Sequence, residues 1–174
     1  MKRLLLLLLL TIAAGVVFIQ AQTDKTTSSQ PVPLTPTVAD LASVLKLEKS
    51  DVEWKAQLTP AQYQVMRKAG TERAGSSALL TEHRRGVFHC VACGIPLFAS
   101  DSKFESGTGW PSFTKPFVPA NIVVAEDNSL GMERDEIRCA RCGGHLGHVF
   151  DDGPAPTGRR FCINGLTLKF EERP

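Results

Sequence analysis

The spacing of apolar residues changes along the chain from helix-like to strand-like. Residues 38–47 have the periodicity of an amphipathic helix, whereas residues 51–55 are typical of a turn or a short strand. From residue 86 onward, short apolar runs alternate with glycine, proline, asparagine and aspartate, as in GVFHCVAC, NIVVAED, DEIRCARC and LTLKFEE. Many strands after one or two helices predict an antiparallel sheet or barrel with helices at one end.

The clearest helix is predicted in the sequence LTPAQYQVMRKAG. Thr59 is suited to be its N-cap, Pro60 fits the first helical position, and Gln62 stands where a capping box requires Glu or Gln. Gly70 can adopt the left-handed conformation with which many helices end. The pattern therefore predicts a helix between Thr59 and Gly70.

The N-terminal sequence MKRLLLLLLLTIAAGVVFIQAQTDK has two basic residues, a long apolar run, and then small and polar residues. This layout predicts a secretory signal peptide over residues 1–21 and therefore export, to the periplasm or the medium. An uncleaved membrane anchor is the alternative, because the apolar run is only slightly shorter than the roughly 18 residues of a spanning helix. Residues 22–37, rich in Thr, Ser, Gln and Pro, are predicted to be a disordered linker, and residues 38–174 a single domain.

The overall charge narrows the choice of partners. The chain has 20 Lys and Arg against 18 Asp and Glu, a net charge of +2, and the two signs are interspersed. Such a balance gives no basis for binding nucleic acid or a charged membrane surface. We therefore expect no nucleic-acid partner, and a monomer by default.

Four of the five cysteines form two C-x-x-C pairs, Cys90 with Cys93 and Cys139 with Cys142. Each pair is followed by glycine, as tight metal-binding turns require, and two such pairs can complete a tetrahedron of thiolates around one ion. The pattern predicts one structural Zn²⁺ ion. Two disulfides, a redox-active dithiol and a rubredoxin-like iron centre are the alternatives.

The fifth cysteine, Cys162, has no pairing partner and lies near several polar residues. A nucleophilic thiolate needs its charge stabilised, and Arg159, Arg160 and the imidazoles of His145 and His148 are candidates for this role. Either imidazole could instead be a metal ligand or a satisfied core residue. Cys162 is therefore the candidate nucleophile.

Further candidate residues lie on the strand of Cys162 and in the sequence ESGTGWPSF. The period of a strand places Cys162 and Asn164 on one face, and Phe161 and Ile163 on the other. Trp110 follows a glycine-rich turn that can expose its ring, although a core position is the simpler interpretation of a tryptophan.

Together, ESGTGWPSF, HLGHVFDDGPAPTGRRFCIN and the two C-x-x-C pairs resemble the methionine-R-sulfoxide reductases, the B-type enzymes, in order and spacing. The resemblance extends from about residue 58 to residue 170. It implies a mainly β fold, with two antiparallel sheets forming a barrel-like core, N-terminal helices and a structural zinc site. It also implies an enzyme that reduces the R epimer of methionine sulfoxide, free or in proteins.

The resemblance implies a role for each matching residue. The catalytic residues would be Cys162, His145, His148 and Asn164. The residues that contact the substrate would be Trp110, whose ring would pack against the substrate methyl group, Thr108 and Phe161. The ligands of the zinc ion would be Cys90, Cys93, Cys139 and Cys142.

The implied reaction leaves Cys162 oxidised. Its thiolate would attack the sulfoxide sulfur, His145 or His148 would protonate the oxygen, and methionine would leave a sulfenic acid on Cys162. Thr108 stands where many family members have a resolving cysteine. We therefore expect an external reductant, either a thioredoxin-like protein or another thiol.

Two departures from the family pattern concern the rim of the pocket. The sequence RAGSSALL, residues 73–80, replaces a segment that usually contains an aromatic residue, and Gly165 stands where Ser is common. Two other functions compete with the reductase: a zinc-ribbon-like binding module, and a thiol-disulfide oxidoreductase that works through one C-x-x-C pair.

Overall fold

The computed structural model describes residues 33–40, 45–128, 131 and 133–174. The predicted signal peptide, residues 1–21, and most of the predicted linker lie outside these residues. Within them, nine strands form two antiparallel sheets, and two short α-helices precede the strands. None of the helices in this part of the chain is long and apolar enough to cross a membrane.

Helix α1, Asp51–Gln57, lies where a turn or short strand was predicted, so that prediction was wrong. The helix begins with a capping box, in which Ser50 and Glu53 each bond to the other's backbone N–H. It buries the Trp54 side chain in the core. The capping box and the burial of Trp54 stabilise a helix here, although the local spacing of apolar residues is typical of a strand.

Helix α2, Pro60–Lys68, confirms the helix predicted here. Thr59 and Gln62 form the predicted capping box. The left-handed residue at its end is Ala69, with φ 51°, rather than Gly70. Gly70 N–H instead donates to the Gln64 carbonyl at 3.1 Å.

The helix predicted over residues 38–47 is not found in the described part of that segment. Residues 38–40 form a turn and residues 45–47 have no regular structure, while residues 41–44 lie outside the description. Distant partners hold the segment: Asp40 pairs with Arg173 at 2.8 Å, and Leu47 N–H donates to the Arg141 carbonyl at 2.8 Å.

The described strands form a three-stranded sheet, in the order β2-β1-β9, and a six-stranded sheet, in the order β3-β4-β8-β7-β6-β5. Their bounds are β1 Gly86–Cys90, β2 Pro96–Ala99, β3 Lys103–Phe104, β4 Ser112–Phe113, β5 Ile122–Asp127, β6 Arg134–Cys139, β7 His145–Phe150, β8 Arg160–Ile163 and β9 Leu168–Glu172. Each order runs between two edge strands, so the pairing of these strands does not close the predicted barrel.

The two sheets share one aromatic core. Phe98 of the smaller sheet stacks on Phe113 of the larger one, with ring centroids 4.5 Å apart, and Phe88 packs against Phe113 at 5.0 Å. In β8, Phe161 and Ile163 are buried while Cys162 is half-buried. Phe161 also packs against Phe98, with ring centroids 5.8 Å apart, so the larger sheet has a core face and, as predicted, an opposite face that carries Cys162.

Candidate active site and metal centre

Two turns of the same geometry present the paired cysteines. Cys90 ends β1 and Cys139 ends β6, so the two turns belong to different sheets. In the first turn Gly94 N–H donates to the Cys90 carbonyl at 2.8 Å, and in the second Gly143 N–H donates to the Cys139 carbonyl at 2.9 Å. Both glycines have positive φ, 78° and 67°, which other residues adopt only with strain.

The four sulfurs form one cluster. All four lie within 4.8 Å of one another, with Cys93 and Cys139 Sγ 3.4 Å apart and Cys90 and Cys142 Sγ 3.7 Å apart. Four sulfurs about 2.3 Å from a central zinc ion in a tetrahedron lie about 3.8 Å from one another. The cluster could therefore hold one metal ion. All five cysteines lie in the described part of the chain and are free thiols, so the two-disulfide alternative is not the one that this structure adopts.

The environment of the cluster also favours a cation. The pKa of the Cys90 thiol is raised well above its usual range, first by its hydrogen bond with Cys139 and further by the other sulfurs and by burial. Thiols crowded in this way resist losing their protons together. A bound divalent cation would reverse that preference, because it stabilises the thiolate form.

Cys162 lies in a separate cavity of about 150 Å³ on the other face of the larger sheet. Its neighbours across the sheet are His148 in β7 and Ser112 in β4. The residues that line the cavity are Thr71, Trp110, Arg134, Gly147, His148, Phe150, Cys162 and Asn164. The structure thus brings four of the predicted site residues together, although they come from two strands and two loops.

The charge environment of Cys162 differs from the prediction. Burial raises the pKa of its thiol, and the Thr108 hydroxyl and the Arg160 guanidinium lower it only in part. Arg160 is committed to a two-point ion pair with Asp152, at 2.8 Å for each bond, and Arg159 lies over the Phe161 ring. The effect of burial on the pKa therefore exceeds that of these two groups, so the thiolate is stabilised less than the sequence led us to expect.

Each imidazole is held by a carboxylate that sequence reasoning missed. His148 Nε2 lies 2.8 Å from Asp127 Oδ2, and His145 Nδ1 lies 2.7 Å from Glu136 Oε1. The two rings are 5.4 Å apart. Both acids lie on strands, Asp127 at the end of β5 and Glu136 in β6, but their partners are set by strand register, which local sequence does not reveal.

Only one of the two imidazoles reaches the cavity. His148 lines it, whereas His145 is 4% exposed and is not among its lining residues. Burial lowers the pKa of His145 despite the Glu136 carboxylate. Neither imidazole is among the sulfur cluster, so both are available for roles other than metal binding.

Asn164 and Trp110 both line the cavity and both bond to one further residue. The Asn164 side chain donates from Nδ2 to the Leu146 carbonyl at 3.0 Å and accepts from the Glu72 N–H at 3.0 Å. The Trp110 indole donates from Nε1 to the Glu72 carbonyl at 3.2 Å. Glu72, which is 7% exposed, was not predicted as a site residue, because its side-chain partners lie more than 90 positions later in the chain.

The two remaining predicted substrate contacts occupy different surroundings. The Thr108 hydroxyl lies 3.9 Å from Cys162 Sγ and 2.9 Å from the Ser106 hydroxyl, beside the cavity. Phe161 is 3% exposed and packs against Phe98, on the opposite face of β8 from Cys162. The structure therefore does not bring Phe161 to the cavity, because adjacent residues of a strand point to opposite faces.

The two departures from the family pattern, residues 73–80 and Gly165, contact each other at the rim of the cavity. A Cβ atom on Gly165 would lie 1.9 Å from the Ser77 hydroxyl, so serine at position 165 could not fit beside this Ser77 conformation. A Cβ on Gly109 would likewise lie 2.9 Å from the Ala74 Cβ. The unusual sequence of residues 73–80 is therefore packed against two glycines that leave room for it.

These features define a class of protein: a mainly β domain with a four-cysteine cluster at one end and, apart from it, a lone cysteine facing an imidazole. Residues 58–172 match the SelR domain. This match covers well over half of the chain, and the chain belongs to that family. The resemblance to the B-type methionine sulfoxide reductases is thereby confirmed.

Several relatives are similar over most of their length. A protein named peptide methionine sulfoxide reductase MsrB from Leptospira interrogans serovar Lai is 53% identical over 127 residues, 73% of this chain and 97% of the relative. Proteins of the same name from Agrobacterium fabrum and Methanosarcina mazei are 51% and 54% identical, over 77% and 72% of this chain and 98% and 89% of theirs.

Proposed function

We propose that the protein reduces methionine sulfoxide in peptides and proteins, and that it acts on the R epimer. It is an oxidoreductase of the same kind as its relatives. The observation that carries this proposal is the cavity in which a lone thiol, Cys162, stands opposite the His148 imidazole and near the Trp110 ring. An aromatic wall suits the methyl group of the substrate, and a polar wall suits the oxygen.

The reaction is a two-electron transfer from the Cys162 sulfur to the sulfoxide sulfur. The Cys162 sulfur attacks the sulfoxide sulfur and forms a sulfur–sulfur bond. The oxygen then moves from the substrate sulfur to the Cys162 sulfur while the substrate sulfur–oxygen bond and the sulfur–sulfur bond break, and the products are methionine and a sulfenic acid on Cys162. The single proton needed for the sulfenic acid comes from the Cys162 thiol. The equation therefore balances without any other reactant in this step.

His148 is the residue placed to carry that proton. It lines the cavity and pairs across the sheet with Cys162, whereas His145 is buried behind it. Asp127 bonds to His148 Nε2 and so fixes the orientation of the ring, leaving Nδ1 as the nitrogen that can exchange a proton. His145, which its environment keeps neutral, supports the ring of His148 from the side.

The raised pKa of Cys162 suggests when the thiol ionises. Because burial opposes the thiolate in the resting state, proton transfer is expected only once the sulfoxide occupies the cavity. Arg160, held by Asp152, supplies a positive charge that lowers the pKa of Cys162. Asn164 has both polar groups of its side chain in hydrogen bonds, so it shapes the cavity wall.

The four-cysteine cluster would hold one structural zinc ion. Cys90, Cys93, Cys139 and Cys142 supply four sulfurs, which leave no open position on a tetrahedral ion. Since the first pair belongs to the smaller sheet and the second to the larger one, the ion would stabilise the junction of the two sheets.

Regeneration of Cys162 would need an external thiol. The other four cysteines are gathered in the cluster, and Thr108 occupies the nearby position where a resolving cysteine could act. A thioredoxin-like protein or a small thiol would reduce the sulfenic acid. We further propose that the chain is exported through its N-terminal segment, residues 1–21, and repairs oxidised proteins outside the cytosol as a monomer.

An assay with separated epimers tests the function. Methionine sulfoxide in a short peptide is supplied as the R or the S epimer, with a small dithiol as reductant, and methionine is measured. Activity confined to the R epimer is expected. Equal activity on both epimers would refute the preference for the R epimer. No activity on either epimer, with the metal cluster filled, would refute the proposed reaction and favour a binding module.

A further inference from the structure

Glu72 is a buried carboxylate whose hydrogen bonds go to backbone groups. It lies in the loop between α2 and the short 3-10 helix Ala78–Thr81, and it is 7% exposed. One carboxylate oxygen accepts from the Gly165 N–H at 2.6 Å and the other from the Leu166 N–H at 2.9 Å. These two N–H groups directly follow Asn164, at the end of the strand that carries Cys162.

The backbone of the same residue bonds to the other two polar groups of the cavity wall. Glu72 N–H donates to Asn164 Oδ1 at 3.0 Å, and the Glu72 carbonyl accepts from Trp110 Nε1 at 3.2 Å. The loop continues along the turn before Trp110, where Gly75 N–H donates to the Gly109 carbonyl at 2.8 Å. Four hydrogen bonds of one residue thus join the Trp110 wall to the end of β8.

We infer that Glu72 is a positioning residue that sets the place of the Trp110 ring relative to the Cys162 sulfur. This inference rests on the proposed function, in which the substrate sulfur must sit between that ring and that thiol. The backbone after Trp110 is already bonded to β8, since Ile163 N–H donates to the Pro111 carbonyl at 2.9 Å. The indole N–H, however, bonds to the Glu72 carbonyl, so the orientation of the ring depends on the loop of Glu72. Displacement of about 1 Å at a reacting centre can reduce a rate about 100-fold.

The carboxylate is the part of Glu72 that a substitution can test. Its two oxygens meet two N–H groups, and this match needs two acceptors. Glu72→Gln keeps the size of the side chain but turns one acceptor into a donor, which faces an N–H group. The loop, its carbonyl and hence the Trp110 indole are then expected to shift.

The experiment uses the full metal-loaded protein with 5-fluorotryptophan and two readouts. The chain has two tryptophans, and Trp54, buried beneath α2, serves as the internal reference for the ¹⁹F spectrum. In Glu72→Gln we expect the Trp110 resonance to move while that of Trp54 stays. We also expect KM for the sulfoxide peptide to rise about tenfold, with kcat falling less.

Two control variants separate positioning from stability. Glu105→Gln changes an exposed glutamate that pairs with Lys103, and is expected to leave both readouts unchanged. Val65→Ala removes buried apolar contacts in α2, so it is expected to lower the unfolding temperature without changing KM. Glu72→Asp keeps both acceptor oxygens, so its KM is expected to lie between that of the unmodified protein and that of Glu72→Gln.

Each result decides the inference. An unchanged Trp110 resonance and an unchanged KM in folded Glu72→Gln would overturn it, as would a KM rise of the same size in Val65→Ala. If the unmodified protein reduces no sulfoxide, the proposed function fails instead, and the ¹⁹F resonance of Trp110 still decides whether Glu72 positions the ring. Should Glu72→Gln not fold, the same two readouts are taken from Glu72→Asp, in which an unmoved resonance and unchanged KM overturn the inference.

Discussion

The five cysteines of this chain occupy two opposite chemical environments. Four have their sulfurs within 4.8 Å of one another, in turns that follow strands of two different sheets. Cys162 lies within a strand, with the Thr108 hydroxyl at 3.9 Å and His148 across the sheet. The same side chain can thus complete a metal site or act as a nucleophile, and its neighbours decide between the two.

The two environments also differ in how the thiol is kept unreactive. In the cluster, neighbouring sulfurs raise the pKa of Cys90 and lower that of Cys142, and a bound cation would hold all four sulfurs as ligands. At Cys162, burial is the main cause of the raised pKa, and the nearby Arg160 opposes it. A ligand sulfur is therefore removed from chemistry permanently, whereas Cys162 is expected to react when the sulfoxide arrives.

Substitution of the nucleophile should have the largest effect. Cys162→Ser is expected to reduce kcat/KM for the R epimer at least about 1,000-fold, because a hydroxyl cannot replace the thiol in this redox step. Metal content and unfolding temperature are expected to stay close to those of the unmodified protein. A serine variant that still converts one sulfoxide per chain would show that Cys162 is not the nucleophile.

Substitution of a cluster cysteine should instead lower the stability and the metal content, and affect activity only through folding. Cys139→Ser is expected to lower the free energy of unfolding by at least about 3 kcal/mol, measured in denaturant, and to release the metal. Activity should fall only as far as the folded fraction falls. If Cys139→Ser kept its stability but lost activity, the cluster would have a chemical role and the contrast between the two sites would fail.

A second thiol beside Cys162 should change how the enzyme is regenerated. The Thr108 hydroxyl lies 3.9 Å from Cys162 Sγ, so Thr108→Cys places a thiol within reach of the sulfenic acid. After one turnover without reductant, mass spectrometry should find a disulfide in most molecules, whereas the unmodified protein and the Thr108→Ser control should carry an added oxygen. A disulfide in the unmodified protein would mean that a cluster cysteine resolves Cys162.

The smallest effect should be seen in the pH dependence of alkylation by iodoacetamide. Only the thiolate reacts, and burial raises the pKa of Cys162, so its rate should rise with pH through a midpoint above the value of about 8.5 of a free cysteine. Arg160→Met removes a group that lowers this pKa and should move the midpoint further up. A midpoint below that of free cysteine in the unmodified protein would contradict the environment described for Cys162.

Sequence reasoning was most successful where a local rule determines the structure. The turns after Cys90 and Cys139 need glycine at fixed positions, and the capping residues Thr59 and Gln62 indicate where helix α2 begins. The alternation of Phe161 and Cys162 between two faces likewise follows from the strand period alone. In these cases all the residues that matter are close in sequence.

Residues whose roles depend on distant partners were missed or misjudged. Asp127 and Glu136 reach their imidazoles through strand register, and Glu72 contacts groups more than 90 positions later in the chain. The stabilisation of the Cys162 thiolate was overestimated for the same reason: Arg160 is only two positions away in sequence, but it forms an ion pair with Asp152. Charge balance in a buried site is a property of the packed fold.

A single turnover without reductant tests whether Cys162 alone takes up the oxidising equivalent. The metal-loaded protein is mixed with excess R-sulfoxide peptide, methionine is counted, and each cysteine is examined by mass spectrometry after trapping of sulfenic acids. We predict about one methionine per chain, a sulfenic acid at Cys162, and the cluster cysteines unmodified. A disulfide between Cys162 and a cluster cysteine, or oxidation of the cluster with Cys162 still reduced, would contradict the division of the five cysteines into four ligands and one nucleophile.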